Sequence, residues 1–216
     1  MRLACASGIM FRGPPPCPEF LASPQPGAVL RPTTWGHCHW VWRGEVIGDA
    51  VRDTGTFGPV GEVTSALRHL GPSAHLVDVG TNVGLVSAAA LALGHSVTCF
   101  EAEPHNVALW RATLALNNWT QRATVVGRAV VANSTEERKV GFRRWDAHNR
   151  GGSRIVRGRR SQHMPTTHLD LWASQLPHGS PASLLGETNW FEKWRTTARA
   201  PWARQDHVRG TGTGHV

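Results

Sequence analysis

The sequence predicts an α/β fold of the Rossmann-like kind, and one stretch, residues 76–118, carries that prediction. Two short apolar runs, Leu76-Val77-Asp78-Val79 and Ser96-Val97-Thr98-Cys99-Phe100, have the length and composition of strands buried on both faces. Between them an Ala/Leu-rich segment, Leu85 to Leu93, reads as a helix stopped by Gly94. The turn Gly80-Thr81-Asn82-Val83-Gly84 joins the first strand to that helix. Its two glycines allow φ > 0 and a close approach of ligand to main chain. Strand, turn, helix, strand is a βαβ unit. The two strands are then parallel, and the turn shares one sheet edge with Glu101, at the end of the second strand.

The remaining elements follow from pattern. Residues 1–34 are proline-rich and weakly periodic, so the extension over 1–44 reads as disordered or loosely attached, with an organelle-targeting leader as the rival. No clean apolar segment follows the first arginine, which argues against a secretory leader. Within this stretch Trp35 to Trp42 has a strand or hairpin pattern, with aromatics alternating at Trp40 and Trp42. Glu45 to Thr54 and Val60 to Leu70 read as helices, the second with Val63, Leu67 and Leu70 on one stripe. Pro104 suits the first turn of a helix that buries Val107, Trp110 and Leu114 and ends at Asn117-Asn118. Ala123 to Val131 reads as one strand, and Val140 to Phe142 as another. Arg154 to Arg160 is a basic run with no interleaved aromatics, expected as a solvated loop.

Composition bounds the classes. The chain has 216 residues, is 40% hydrophobic, and has the length of one domain with a real core. Its net charge of +8 comes from the part downstream of residue 137 and not from the motif-bearing part. No apolar run reaches the roughly 18 residues that would span a bilayer. Cys5, Cys17, Cys38 and Cys99 form no C-x-x-C pair, and at this length a disulfide scaffold is not expected. Cys99 reads as a small apolar filler of a buried strand. His37-Cys38-His39 invites a metal reading, but adjacent residues cannot converge on one ion and no distant pair completes the set. No metal is expected.

The chemistry at the sheet edge is more specific. The dinucleotide fingerprint is G-x-G-x-x-G. This chain carries D-x-G-x-x-x-G instead, as Asp78, Gly80 and Gly84. An acidic residue just before the turn repels phosphates and suits a cofactor that carries positive charge, such as the sulfonium of S-adenosyl-L-methionine. A carboxylate at the end of the second strand, Glu101, is placed to accept hydrogen bonds from a ribose diol. The expected cofactor-binding set is Asp78, Gly80, Thr81, Asn82, Gly84 and Glu101.

The segments Val77–Ser87 (VDVGTNVGLVS), Val97–Asn106 (VTCFEAEPHN) and Leu114–Asn118 (LALNN) resemble the FkbM family of S-adenosylmethionine-dependent methyltransferases. That family carries a D-V-G-A-N-x-G turn, an F-E-P-x-P-x-N segment and a closing asparagine pair. Thr81 stands where the family usually has alanine, and Ala102 where it usually has proline. Weaker likeness extends over Gly48–Pro59, Val125–Val131, Gly151-Gly152-Ser153 and Thr167–Asp170, so the resemblance covers about residues 45–172. It implies a class I methyltransferase fold, with Glu101 anchoring the ribose, Gly80, Asn82 and Gly84 shaping the cofactor bed, and Asp78 steering the methionine end.

The likeness stops near Trp172. The family continues into a fourth core strand of the form K-I-D-x-E-G-x-E, and nothing in 173–216 matches it. The expectation is an incomplete fold: an extension over 1–44, a partial domain over 45–172, and a disordered basic tail over 173–216 whose absence from the sheet leaves the first strand with an open edge. The resemblance implies methyl transfer to oxygen on a small-molecule or glycan-like acceptor. No catalytic base is assigned; Asp146, His148 and Asp170 are candidates by residue type alone. Two rivals stand beside this reading: an inactive truncated family member, and a basic RNA-binding protein or RNA methyltransferase using residues 138–216. Nucleic acid is the less favoured partner, and an intracellular location is favoured.

Overall fold

The computed structural model describes residues 17–58, 60–69, 74–131, 139–143, 148, 153–156, 162–169, 172 and 182–186. The architecture is α/β. Its centre is a four-stranded, all-parallel sheet in the order β10-β3-β4-β5, built from β3 (His75–Val79), β4 (Ser96–Phe100), β5 (Ala123–Val126) and β10 (Ala182–Gly186). The predicted βαβ unit is present: β3 leads through the glycine turn into α3 (Leu85–Ala92), and β4 returns beside β3 with His75 opposite Ser96 and Val79 opposite Phe100. α4 (Pro104–Leu116) then connects β4 to β5. Its start is capped by the Glu103 side chain, with Pro104 in the first turn where the missing N–H costs nothing.

Strand alternation divides the core. Leu76, Val97 and Cys99 face α2 (Val60–His69), α3 and α4, where Val63, Leu67, Ala88, Leu91, Trp110 and Leu114 are buried with them. Val77 and Phe100 point to the opposite face, covered by Leu169 and Trp172. The Trp172 ring meets Phe100 edge-on and lies nearly parallel to His75.

Five sequence expectations are corrected here. Residues 17–44 are not loosely attached. β1 (Ala28–Pro32) and β2 (Cys38–Trp42) form an antiparallel hairpin whose Trp40, Val41 and Trp42 are buried against α1 (Val46–Thr54), α3 and α4. The main chain of Trp40 donates to Thr113 Oγ1, and Trp42 Nε1 donates to Asn106 Oδ1, so β2 lies along α4. The apolar surface that Trp40, Val41 and Trp42 remove from water outweighs the proline content that suggested disorder. Secondly, Cys17 and Cys38 form a disulfide. The hairpin brings them together, and sequence spacing gave no sign of it.

Thirdly, the far edge of β3 is not open. β10 pairs with it in parallel, Ala182 opposite His75 and Gly186 opposite Val79. Five residues suffice for a strand when its neighbour is already in place. Fourthly, Ala123 to Val131 is two strands. Arg128 N closes a tight turn on Val126 O at 2.9 Å, and β6 (Ala129–Val130) leaves for a second sheet, ordered β6-β9-β7-β8 with β7 (Lys139–Arg143), β8 (Arg154–Val156) and β9 (Gln162–Thr167). Fifthly, the basic run begins in a strand rather than a loop. The leader reading of residues 1–16, and most of the tail, lie outside the described residues.

Candidate functional site

The glycine turn folds over the end of β4. Gly80 N and Thr81 N both donate to Phe100 O, at 2.9 and 3.1 Å, and Gly84 N donates to Thr81 O at 2.8 Å. To make these bonds the chain takes positive φ at Gly80 (80°), Asn82 (54°) and Gly84 (90°). At Gly84 only glycine fits for a second reason: a Cβ there would lie 2.3 Å from the Trp110 ring. Trp110, on α4, is the floor of the turn and is fully buried.

Glu101 closes the site. Its Oε2 accepts from Asn82 N at 2.8 Å, and its Oε1 accepts from Glu103 N at 2.7 Å. The turn and the strand-end carboxylate, separated by nineteen residues in sequence, thus meet directly. Glu101 is itself buried. Asn82 is 8% exposed, yet both polar atoms of its side-chain amide are buried without a partner. An unsatisfied amide at such a position costs on the order of 1–3 kcal/mol. A ligand with donors and acceptors, laid along the turn, would remove that cost. The residues present therefore fit a nucleoside-bearing cofactor.

The other expected members are placed as follows. Asp78 is buried, and its Oδ2 accepts from Ser87 Oγ of α3 at 2.6 Å. Burial, offset in part by the Ser87 and Thr81 hydroxyls, pushes its carboxyl up to about 6. Thr81 Oγ1 donates to the Asp78 main-chain oxygen at 3.1 Å, which ties the turn to the end of β3. Cys99 is a free, buried thiol that donates to Ser87 Oγ, and burial together with the Asp78 charge pushes it up to about 12, the chemistry of a filler and not of a nucleophile. Of the candidate bases, Asp146 and Asp170 lie outside the described residues. His148 is exposed and meets the start of α1, its carbonyl accepting from Val46 N and its Nδ1 facing Gly44 O.

Sequence reasoning missed the turn's supports. His39 Nε2 donates to Val83 O at 2.8 Å across 44 residues, and its ring stacks on Trp110. His39 Nδ1 faces His37 Nε2 at 3.4 Å, and His37 Nδ1 faces Thr33 Oγ1 at 3.0 Å. Burial holds both imidazoles neutral, with His37 lowered to about 3 and His39 to about 4. The two histidines, for which the sequence invites a metal reading but none is expected, serve as a buried brace, and Cys38 between them is disulfide-bonded. Among the described residues no group of three potential ligands converges on a metal position. No local pattern signals the brace: His39 lies in β2, His37 just before it, and the bond to Val83 spans 44 residues. No helix among the described residues is long and apolar enough to cross a membrane.

No family model matches the chain, and no curated protein sequence matches it. Solved structures overlap it in part. P. horikoshii TYW2 in complex with MeSAdo is 15% identical over 49% of this chain and 37% of that one, with a TM-score of 0.38. The SAM-dependent methyltransferase from Agrobacterium tumefaciens is 14% identical over 49% and 33%, with a TM-score of 0.37. A tRNA methyltransferase from M. jannaschii is 16% identical over 50% and 34%, with a TM-score of 0.35. The chain spans about a third of the length of these proteins. With overlaps this partial, function is read from the chain's own residues.

Proposed function

We propose that this chain is an S-adenosyl-L-methionine-dependent methyltransferase of the FkbM kind, acting on an oxygen of a small-molecule or glycan-like acceptor. One observation carries the reading. An asparagine at positive φ, with an unsatisfied buried amide, is hydrogen-bonded through its main chain to a carboxylate at the end of the next parallel strand. A pairing of that kind at the carboxyl edge of a parallel sheet, where ligands of such sheets bind, supports a nucleoside site. The D-x-G-x-x-x-G spacing favours a cationic cofactor over a pyrophosphate.

When bound, the cofactor supplies an electrophilic methyl group on a sulfonium. The chain's residues supply the rest. Glu101 accepts from the ribose hydroxyls. Gly80 lets the main chain approach the ligand, Gly84 lets the turn close on Trp110 and shape the cofactor bed, and the Asn82 amide offers one donor and one acceptor. Asp78, braced by Ser87, adds negative potential below the turn, which favours the cation. Burial of these groups lowers the local dielectric and strengthens each contact.

Calorimetry with S-adenosylmethionine and with its demethylated product tests the site. Glu101→Gln removes the charge and one of the best acceptors, so affinity should fall by about 10-fold or more. Absence of binding to the native chain would end the reading. A second reading is cofactor binding without transfer: His148, a candidate base by residue type, meets the start of α1, its carbonyl accepting from Val46 N and its Nδ1 facing Gly44 O. Transfer of a labelled methyl group to pools of glycans, small hydroxyl compounds or RNA separates the two, and a labelled RNA fraction would redirect the acceptor to nucleic acid.

A further inference from the structure

The C-terminal end of α4, away from Glu101, holds features that methyl transfer does not use. The chain reads Asn118-Trp119-Thr120, an N-x-T acceptor pattern for N-linked glycans. Asn118 and Thr120 are both exposed. Asn118 has φ 57°, a left-handed conformation that asparagine adopts more readily than other side-chain-bearing residues, and its main-chain N–H bonds Ala115 O. It thus stands on a sharp turn after α4, open to solvent. Trp119 is half-buried and packs edge-on against His37, which fixes the turn to the hairpin.

The second observation is independent of the pattern. Cys38, beside His37, is disulfide-bonded to Cys17, and Asn117 Nδ2 donates to the Cys38 carbonyl at 2.9 Å. The disulfide and the acceptor asparagine therefore share one corner. Structural disulfides persist in oxidising compartments and are rare in the reducing cytosol. N-linked glycans are added in such a compartment.

We propose, in place of the location and leader reading expected from sequence, that Asn118 carries an N-linked glycan and that the chain matures in an oxidising secretory lumen. The Asn118 amide nitrogen bonds the anomeric carbon of a lipid-pyrophosphate-linked oligosaccharide. The bond from that carbon to the pyrophosphate oxygen breaks, the lipid pyrophosphate leaves with the electron pair, and the amide gives up one proton. The Cys17 and Cys38 thiols pass two electrons and two protons to the disulfide of an oxidised dithiol carrier by exchange. The glycan does not obstruct the cofactor site. α4 begins beside Glu101 and Glu103 and runs 13 residues to the Asn118 corner, which separates the two by about 20 Å. A second acceptor pattern, Asn133-Ser134-Thr135, lies outside the described residues. This inference stands independently of the methyltransferase reading.

The test is full-length chain made in eukaryotic cells and digested with a peptide N-glycosidase. The native chain should run as a heavier species that the glycosidase collapses. Asn118→Gln should lose one glycan's worth of that shift. Thr120→Ala, which leaves the asparagine and its turn intact, should lose the same amount, and Thr120→Ser should keep it. A non-reducing peptide map should show the Cys17 and Cys38 peptides linked. A native chain that the glycosidase does not shift, a shift left undiminished by Asn118→Gln and by Thr120→Ala, or Cys17 and Cys38 recovered as free thiols would each overturn the proposal.

Discussion

Replacing Gly84 by alanine tests how the cofactor turn is built. Two separable terms oppose the new methyl. Gly84 has φ +90°, where a residue with a Cβ is strained, and the methyl would sit 2.3 Å from two atoms of the Trp110 ring. Trp110 cannot step aside, because it is fully buried and His39 stacks on it. The backbone term is about 1–2 kcal/mol, and overpacking a fixed aromatic adds about 1–3 kcal/mol. The sum, about 2–5 kcal/mol, is a large part of the 5–15 kcal/mol typical of a domain. Gly94, at the other end of the same helix, provides the control: its φ is +95° and nothing lies within 4 Å of an added methyl. Gly94→Ala should show the backbone term alone. Urea unfolding of the two variants, with equal m-values, gives the difference directly. If Gly84→Ala costs no more than Gly94→Ala, Trp110 is not the floor of the turn and the site is built some other way.

Acidification should weaken the fold through the histidine brace. His37 and His39 titrate at about 3 and about 4 against an ordinary 6.5, so their contribution is fully present above 6.5 and is lost as pH falls from there toward 4. His75 and His95, also lowered by burial, act in the same sense. Asp78 opposes them: its carboxyl titrates at about 6 in the fold against an ordinary 3.8, so the fold gains protons and stability as pH falls through that interval. Several histidines outweigh one carboxylate, and unfolding free energy should drop from pH 6.5 to 4. His39→Gln, which keeps a donor for Val83 O, should flatten that slope; an unchanged slope would mean that His39 does not carry it. Asp78→Asn keeps an acceptor for Ser87 and removes a buried charge, so stability by thermal melt should stay within about 1 kcal/mol of native, while cofactor affinity falls if the charge matters. Reduction of the Cys17–Cys38 bond, which spans a sequence separation of 21, should lower stability by about 3 kcal/mol, read from denaturation with and without reductant.

What depends on neighbours along the chain was legible in the residues alone. Short apolar runs set β3 and β4, Gly80 and Gly84 marked a backbone that must take positive φ, and the end of β4 placed Glu101 at the turn. These are local requirements, and local pattern reveals them. The rest emerged only on folding. β10 is five residues without distinctive pattern, and it is a strand because the β3 edge offers hydrogen bonds that a free segment lacks. The proline-rich start folds because Trp40 and Trp42 find α4 to bury against. His39 holds Val83, Trp110 lies under Gly84, and Cys17 reaches Cys38 only after the chain has closed on itself. Such contacts are selected by burial and loop closure, which no window of sequence contains.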